Sequence, residues 1–360
     1  MISLKALRLY THTHTGNLKN KKTRTILIIF IILITTILIF NAGVYATYVF
    51  KATEVSYTKS NGTTVSVKEA LDELYTIQPL AKAVSVGDYV AYDAGTHSYT
   101  SPTGTGTSHG NGKENQTFTS SSSLKWRVLG WDEETGGVML ISEAPIGTFT
   151  MKGAIGYLYA EQELNEICKI YGYGTGANTS KIFNYVTGDT IEGTKVGTIA
   201  GSGARSINVD DVNKICGVTP STALTGSYGK APYTKSIYYP TTSTSTGYSK
   251  SATSRTDVNT YYSYTVSDYL SDTTDLYKIL CSNTSYWLAS RSVSSYSDLS
   301  TVYAQYVDSG SVNNYYLGTG YTSYFNEASI SYGIRPIVYL KSNLQTNGKN
   351  ASGAWNIIDK

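Results

Sequence analysis

The side chains that most often carry out acid–base, nucleophilic or metal chemistry are few in this chain of 360 residues. Two of its four histidines precede a long apolar segment and two fall in a Gly-rich stretch; they are His12, His14, His97 and His109. Such spacing predicts neither a histidine-based catalytic triad nor a zinc site. A CxxC motif, a P-loop and a GxGxxG in a βαβ setting are also missing. We therefore predict a protein that is not an enzyme, with no catalytic residues, no metal and no cofactor.

The three cysteines allow two interpretations. Cys168 and Cys216 lie in two predicted helices, and outside the cell they could form a disulfide, with Cys281 left unpaired. Alternatively, all three are small buried hydrophobic side chains in an anaerobic organism. The adjacent carboxylates at 132–134 fall in a hairpin loop, which favours solvated turn residues over a calcium site.

Tyrosine is the outlier of the composition, with 33 residues against 7 Phe and 4 Trp. A core built for stability alone would use Phe, Leu and Ile, because a buried Tyr hydroxyl needs a hydrogen-bond partner. Tyr combined with Ser and Gly is instead typical of recognition surfaces such as antibody paratopes. The composition therefore indicates a binding function.

Residues 296–329 concentrate this pattern, because seven tyrosines alternate there with Ser, Asn, Asp and Gly. A buried hydroxyl without a partner costs about 1–3 kcal/mol, whereas an exposed one costs nothing. We therefore expect an exposed, loop-rich ligand-binding face. Its candidate residues are Tyr296, Ser297, Asp298, Tyr303, Tyr306, Asp308, Asn313, Asn314, Tyr315, Tyr316, Tyr321, Tyr324, Asn326 and Ser329. The alternative is that a high content of Tyr and Ser is a general property of this chain, since residues 232–265 share it.

Short apolar strands are predicted on both sides of this segment and within it, and they would support it. The patterns predict strands at 285–290, 302–307 and 334–340. Trp287 lies at an alternating position of the first strand, which predicts a ring that points inward. Arg335 stands in an otherwise apolar strand, so its charge must be paired or hydrogen-bonded. We expect both residues to belong to the framework rather than to contact a ligand.

Helical spacing and caps predict three helices elsewhere, at 161–171, 209–216 and 274–281, the second with Asn208 as its N-cap. Alternating apolar residues predict further strands at 86–92, 124–130 and 138–142, the last two joined by a hairpin loop. Residues 94–123 and 232–265 are expected as a long loop and a surface insertion.

An apolar segment spans residues 26–50, and the basic residues of the N-terminus all precede it. The segment is long enough to cross about 30 Å of hydrocarbon as a helix. By the positive-inside rule, residues 1–25 stay in the cytoplasm and the remainder is exported. We therefore predict a transmembrane signal anchor at 26–50 and a single-pass protein of the cell membrane with an extracellular C-terminus. The alternative is a signal peptide cleaved after Ala46.

Beyond this anchor we expect a stalk module at 51–83, an ectodomain at 84–342 and a C-terminal tail at 343–360. The stalk combines an Asn-Gly turn at 61–62 with a helical capping box at 66–69.

The formal charge of +3 arises at the N-terminus, where the first 50 residues hold six basic side chains and no acidic one. Removing those six from 29 leaves 23 basic against 26 acidic residues in the remainder. Nucleic-acid binding needs a basic face to neutralise phosphates. The charge distribution therefore excludes nucleic acid as a partner.

Three short segments carry a resemblance to a known family: WRVL at 126–129, YWLAS at 286–290 and YGIRPIVYL at 332–340. They are similar to C-type-lectin-like domains of the formylglycine-generating-enzyme type, displayed by many gut-type bacteria. The resemblance implies an α+β fold, with a compact mixed α/β ectodomain whose irregular loops present a binding face. The formylglycine-generating enzymes use paired reactive cysteines, and this chain has no matching pair, which puts that activity in doubt.

Residues 296–329 also resemble the variable region of proteins diversified by retroelements through adenine-directed mutagenesis. In those proteins Asn codons are scattered to Tyr, Ser, Asp and Gly while framework residues stay fixed. The resemblance implies that the predicted binding face varies.

Taken together, these features predict a membrane-anchored cell-surface binding or adhesion protein. Its partners would be an extracellular protein or glycan, which the sequence does not identify, and the membrane through the N-terminal helix. The alternative is a structural envelope or pilus-like surface subunit whose tyrosine faces pack against neighbouring subunits. Residues 84–360 alone should be monomeric in the first case and should polymerise or aggregate in the second.

Overall fold

A computed structural model divides the chain into two compact units, Met1–Leu74 and Tyr75–Lys360. The residues that the structure describes are 30, 56–58, 62–66, 77–101, 116–187, 195–218, 233–240, 243–244, 247–248, 252–259, 263–281, 284–296, 299–321 and 324–359. Some of these, including 233–259, 293–300 and 320–327, are described by their backbone alone.

The prediction of a transmembrane helix at 26–50 is corrected. No helix among the described residues is long and apolar enough to cross a membrane. The longest of them, Gly153–Lys169, has 17 residues and includes several charged side chains, whereas a span needs about 20 predominantly apolar residues. The predicted segment itself lies outside the described residues apart from Phe30. The assignments of a signal anchor, a single-pass topology and a cell-membrane location with an extracellular C-terminus are corrected with it.

The first unit contributes one described hairpin, in which Ser56–Thr58 (β1) pairs antiparallel with Thr64–Ser66 (β2). Gly62 lies between these strands with a φ of 83°, a conformation that glycine adopts at no steric cost. An Asn-Gly turn was expected at 61–62, and residue 61 lies outside the described residues. The helix predicted to follow Ser66 lies outside the described residues.

The second unit is predominantly β-sheet, which corrects the expected α+β fold with a mixed α/β ectodomain. Its described helices are α1 Leu80–Ala83, α2 Gly153–Lys169, α3 Val209–Cys216 and α4 Asp275–Leu280. Its described strands are β3 Gln78–Pro79, β4 Tyr89–Val90, β5 Ser98–Thr100, β6 Thr117–Thr119, β7 Trp126–Trp131, β8 Val138–Ser142, β9 Thr148–Lys152, β10 Phe183–Thr187, β11 Lys195–Ile199, β12 Ala204–Ser206, β13 Tyr233–Pro240, β14 Ser243–Thr244, β15 Gly247–Tyr248, β16 Ala252–Asn259, β17 Tyr264–Thr265, β18 Tyr286–Tyr296, β19 Leu299–Asp308, β20 Ser311–Tyr321, β21 Tyr324–Glu327, β22 Ser329–Gly333, β23 Pro336–Tyr339 and β24 Gln345–Thr346. The stretches rich in Tyr, Ser and Thr that were expected as loops pair as strands, because aromatic and β-branched side chains fit a pleated, half-buried surface.

Two sheets organise this unit. One has the strand order β12-β23-β8-β7-β4, and the other has the order β17-β20-β19-β18-β22-β9, with β21 paired to β20. The described pairings within both sheets are antiparallel, apart from the parallel pair of β18 and β22. Strand β23 lies between β12 and β8, and β22 lies between β18 and β9. Two strands near the end of the second unit, β22 and β23, therefore complete the two sheets.

Buried apolar side chains form two clusters. The larger one joins α2 to the second sheet and includes Leu164, Ile167 and Trp287. The smaller one lies under α3 and α4 and includes Val212 and Leu280. Together they fix the sheet positions from which candidate functional side chains project.

Helix α2 begins at Gly153 rather than at Glu161, where the sequence pattern predicted its start. The residues of its first turns, 157–160, are all buried. A helix segment that is buried on every side lacks the alternation of apolar and polar faces on which a sequence prediction depends.

Helix α3 has the predicted bounds because both of its ends carry strong local signals. Asn208 Oδ1 accepts a hydrogen bond from the Asp211 backbone N–H at 2.9 Å, and Asp211 Oδ2 accepts one from the Asn208 N–H at 2.9 Å. These reciprocal bonds form the capping box that satisfies the first backbone donors of the helix. Gly217 follows with a φ of 65°, the left-handed conformation that commonly ends a helix.

The residues expected as a C-terminal tail pack within the second unit. Leu344 is 1% exposed, and β24 pairs with β3. The Trp355 backbone N–H donates to the Tyr89 carbonyl at 2.8 Å, and its indole N–H donates to Asp88 at 2.9 Å. Residues 344–359 are therefore part of the compact unit.

All three cysteines are free. Cys168 belongs to the larger apolar cluster and Cys216 to the smaller one, so the possible disulfide between them is not formed. Burial raises the pKa of the Cys216 thiol to about 11 and that of Cys281 also to about 11.

Candidate functional site

The predicted binding segment forms long paired strands rather than an irregular loop face. Strands β19 and β20 are joined by a two-residue turn in which Ser309 has a φ of 48° and Gly310 a φ of 80°. Positive φ at both central positions is the backbone of a type I′ turn, whose twist matches that of the flanking strands. Val312 and Leu317 of β20 are buried in the apolar clusters. The segment expected as a loop is therefore a paired strand that contributes buried residues to both apolar clusters.

Strand pairing separates the predicted tyrosines into two groups. Tyr306 is directly opposite Trp287, and its ring contacts that of Tyr315 at 6.3 Å between centroids. Tyr303 and Tyr316 pair directly with each other, with their ring centroids 6.5 Å apart. Because successive side chains of a strand point to opposite faces, Tyr315 and Tyr316 cannot share one. The single tyrosine face expected from the sequence is thus divided between both sides of the sheet.

Three partly exposed tyrosines, Tyr306, Tyr315 and Tyr332, form a contiguous group that we term the tyrosine cluster. The rings of Tyr306 and Tyr332 stack at 4.5 Å with an interplanar angle of 10°. Tyr315 meets Tyr332 edge-on at 6.0 Å. Burial, and next the neighbouring Tyr306, raise the pKa of the Tyr332 hydroxyl, so Tyr332 contributes a neutral phenol.

Trp287 lies beneath the tyrosine cluster and is fully buried. Its ring contacts Tyr332 at 4.8 Å and Tyr306 at 6.2 Å, both edge to face. Its indole N–H donates to the carbonyl of Phe149 at 2.7 Å. This hydrogen bond fixes the tryptophan, which confirms the prediction that Trp287 is framework.

Arg335 is also framework, as predicted, because its side chain is fully buried. Its guanidinium donates to the carbonyl oxygens of Ser142 at 3.0 Å and Ile279 at 2.5 Å, and it lies 5.0 Å from the ring centroid of Tyr286. Burial lowers the pKa of Arg335. Hydrogen bonds to carbonyl oxygens satisfy the charge that the sequence pattern required to be paired.

On the opposite side of the sheet the polar groups bond to one another. Ser292 Oγ donates to Asn314 Oδ1 at 2.7 Å, beside the pair of Tyr303 and Tyr316. Gln305 is fully buried on the same strand face. The hydrogen bond from Ser292 gives Asn314 a structural role within the sheet.

The other predicted residues are distributed around these groups. Asn313 lies directly opposite Tyr306 and is partly exposed, and Ser329 is exposed at the start of β22. Asp308 accepts a hydrogen bond from Ser285 Oγ. Tyr296, Tyr321, Tyr324 and Asn326 are described only by their positions in β18, β20 and β21, and Ser297 and Asp298 lie outside the described residues.

Tyr332 is the functional candidate that the sequence prediction missed. It lies in β22, next to β18 in the sheet, and beyond the segment selected for its tyrosine density. Ser329 and Ser331 are exposed, whereas Ile330 and Tyr332 are partly buried. This alternation is typical of a half-buried strand. That alternation was the signal that could have placed it on the cluster side.

The carboxylates at 132–134 are engaged by lysines. Lys181 Nζ lies 2.7 Å from Asp132 and 3.0 Å from Glu134, and Lys214 lies 2.8 Å from Glu133. The part of the chain that the structure describes has no group of three or more His, Cys, Asp or Glu side chains that could hold a metal ion.

Comparison with known proteins finds no matching family model, no similar curated protein and no similar solved structure. The resemblance of three short segments to C-type-lectin-like domains therefore stays a prediction.

Proposed function

We propose that this chain is a non-catalytic binding protein whose recognition surface is the tyrosine cluster and whose partner is another protein. One observation carries the proposal: Tyr306, Tyr315 and Tyr332 are partly exposed and packed together over the fully buried Trp287. Tyr side chains offer a large amphipathic contact area and have only two χ angles to fix on binding.

The cluster is organised before a partner arrives. The parallel stacking of Tyr306 on Tyr332 at 4.5 Å restricts both rings, and Trp287 below them is held by its bond to Phe149. Side chains that are already ordered lose less conformational entropy on association. Binding energy at protein interfaces concentrates in such aromatic residues.

The orientation of the rings favours a protein partner over a glycan. Tyr306 and Tyr332 lie nearly parallel, whereas Tyr315 stands at 85° to Tyr332. The cluster therefore presents both ring faces and ring edges, the two geometries by which aromatic side chains of a partner pack.

The test compares neighbouring tyrosines on opposite sides of the same strand. A photo-crosslinking p-benzoylphenylalanine at position 315 should capture a protein partner that the same group at position 316 does not. With that partner purified, Tyr315→Ser should weaken binding by at least about tenfold and Tyr316→Ser by less than about twofold. Equal losses, or crosslinks to a polysaccharide alone, would contradict the proposal.

We further propose that residues 296–329 vary by retroelement-directed mutagenesis, on the resemblance stated above. Variation would then change Tyr306 and Tyr315 and leave the buried Trp287 unchanged. Sequencing the DNA beside the gene should find a near-copy of this stretch that differs mainly at adenines, next to a reverse transcriptase. A flanking region without such a copy would refute this part of the proposal and leave the binding surface standing.

A further inference from the structure

The tyrosine cluster has a carboxylate beside it. Asp308 follows Tyr306 by two residues on β19, so both side chains project from the same face of the sheet. Burial, then Tyr306 and then Asp308 raise the pKa of the Tyr332 hydroxyl. The Asp308 carboxylate therefore lies close enough to the cluster to act on one of its hydroxyls.

No basic side chain among the described residues neutralises Asp308. Its carboxylate accepts a hydrogen bond from the neutral Ser285 hydroxyl, and it forms no salt bridge within the described part of the chain. Between residues 282 and 340 the sequence has no lysine and two arginines. Arg291 and Arg335 are both buried and donate to backbone carbonyls. These strands therefore bring an anion to the cluster and no exposed cation.

The lysine of the neighbouring strand β9 projects from the opposite face. Lys152 is directly opposite Ser329 of β22. Ser329 and Tyr332 are three residues apart on that strand, so their side chains point to opposite faces. Phe149, which is opposite Tyr332, is 1% exposed and lies on the cluster side. Strand β9 therefore adds apolar surface rather than positive charge beside the cluster.

The tyrosine rings are a second feature that attracts a cation. The face of an aromatic ring carries a negative potential, and a guanidinium or ammonium group binds it within about 6 Å of the ring centroid. Tyr306 and Tyr332 stack on each other, and Tyr315 stands at 75° and 85° to them. All three rings are partly exposed. The surface therefore offers ring faces and a carboxylate together.

We propose that the tyrosine cluster and Asp308 bind an arginine side chain of the protein partner. This inference rests on the proposed function, because it names the chemistry that the partner brings to the same surface. A guanidinium is planar, so it can lie against a ring while the N–H groups at its edge donate to a carboxylate. A neutral or acidic side chain at this position would leave the charge of Asp308 without a partner.

The experiment uses the full chain and two small probes. Trifluoroacetyl-Gly-Arg-Gly amide carries the proposed group, and the same peptide with citrulline in place of arginine is its neutral isostere. Fluorine NMR follows binding through broadening of the trifluoroacetyl line. The arginine probe should bind saturably with a dissociation constant of about 5 mM or tighter, and the citrulline probe at least about fivefold more weakly.

Two charge variants test the role of the carboxylate. Asp308→Asn removes the charge and keeps an oxygen that can accept from Ser285, so it should weaken the arginine probe by at least about fivefold. The matched control is Asp272→Asn, which removes the same charge from an exposed residue that precedes α4. It should change the affinity by less than about twofold.

Two ring variants and a salt titration separate attraction of a cation from apolar contact. Tyr315→Leu should weaken the arginine probe by at least about threefold, whereas Tyr315→Phe keeps the ring and should weaken it by less than about twofold. Raising sodium chloride from about 20 to about 500 mM should weaken the arginine probe on the unaltered chain by at least about threefold and leave the citrulline probe unchanged. The salt titration needs no variant that could misfold.

Equal binding of the two probes, no saturable binding of the arginine probe, or equal losses from Asp308→Asn and Asp272→Asn would overturn this inference. Capture of a partner at position 315 tests the proposed function separately. A captured partner combined with equal binding of the probes would overturn the arginine site and leave that function standing. Preference for the arginine probe without a captured partner would support the arginine site and contradict the proposed function.

Discussion

Buried arginines in the second unit are satisfied mainly by backbone carbonyls and aromatic rings. Arg335 donates to the carbonyls of Ser142 and Ile279. Arg291, 5% exposed, donates to the carbonyl of Leu158 at 2.8 Å. Each of these arginines therefore links segments that are distant in sequence, and removing one leaves buried acceptors without a donor.

Replacing Arg335 with methionine should lower the free energy of unfolding by about 3–5 kcal/mol, because the buried carbonyls that it serves would lose their donor. Urea denaturation followed by circular dichroism measures this loss. Arg335→Lys is the matched control, since it keeps the charge and part of the hydrogen bonding and should cost less. A loss below about 1 kcal/mol for the methionine variant would show that the carbonyls find other partners.

Glu163 makes stability depend on pH. Burial raises its pKa to about 7 from an ordinary 4.5, against the opposing effect of the Tyr99 hydroxyl, which donates to it at 3.0 Å. Between these pH values the folded chain holds a proton that the unfolded chain has released, so stability falls as the pH rises from 4.5 to 7.

Glu163→Gln should remove this fall, because the amide has no charge to bury and its oxygen can still accept from Tyr99. We expect the free energy of unfolding at pH 8 to rise by about 1–3 kcal/mol and the variant to match the wild type near pH 4. Urea unfolding across this pH range measures it. A wild-type stability that is flat from pH 4.5 to 7 would contradict the assignment.

At the scale of elements, the β19–β20 turn decides which tyrosines share a face. Gly310 has a φ of 80°, and a Cβ there would lie 3.2 Å from Tyr277 Oη. Gly310→Ala should therefore cost at least about 1–2 kcal/mol from backbone strain. Gly136→Ala is the matched control, because its φ of 72° carries the same strain with no atom within 4 Å.

Thermal denaturation of both glycine variants provides the comparison, and Gly310→Ala should be the more destabilised. An equal effect would mean that the contact with Tyr277 relaxes freely and that only the backbone conformation matters.

Local signals explain which elements could be predicted from the sequence. Helix α3 carries Asn208 and Gly217 at its ends and was predicted with its correct bounds. The first turns of α2 have no polar face, so the sequence there shows no helical alternation of apolar and polar residues. Strand β20 interrupts its apolar alternation with the adjacent Tyr315 and Tyr316, and only pairing with β19 makes it a strand.

For the candidate site too, the sequence alone was insufficient, because it did not show which tyrosines share a face of the sheet. Tyrosine density predicted residues 306 and 315, but sheet register, which is a tertiary property, assigns them to the side opposite Tyr303 and Tyr316. A one-residue change of register would exchange the two groups. Tyr332 joins the cluster through pairing of β22 with its neighbours, which no local pattern in residues 296–329 encodes.

At the scale of the whole molecule, the C-terminal residues hold the second unit together. Deleting residues 343–360 removes the buried Leu344 and the two bonds of Trp355 to Tyr89 and Asp88. We expect the shortened chain to lose its cooperative thermal transition, since a buried Leu alone contributes about 2–5 kcal/mol.

Calorimetry on residues 75–360 and 75–342 measures this effect. Trp355→Phe is the control, because it removes only the indole donor to Asp88 and should cost about 1 kcal/mol. A truncated chain that melts like the longer one would show that these residues are dispensable.

The placement of β22 and β23 has a consequence for synthesis on the ribosome. Each strand lies in the interior of its sheet, between partners that are translated before it. Until residue 339 leaves the exit tunnel, β8, β9, β12 and β18 each keep an open edge, and such edges favour wrong pairing between nascent chains. Both sheets therefore close only after β22 and β23 have been synthesised, and a product that terminates before residue 339 carries two unfinished sheets that proteases and chaperones can recognise.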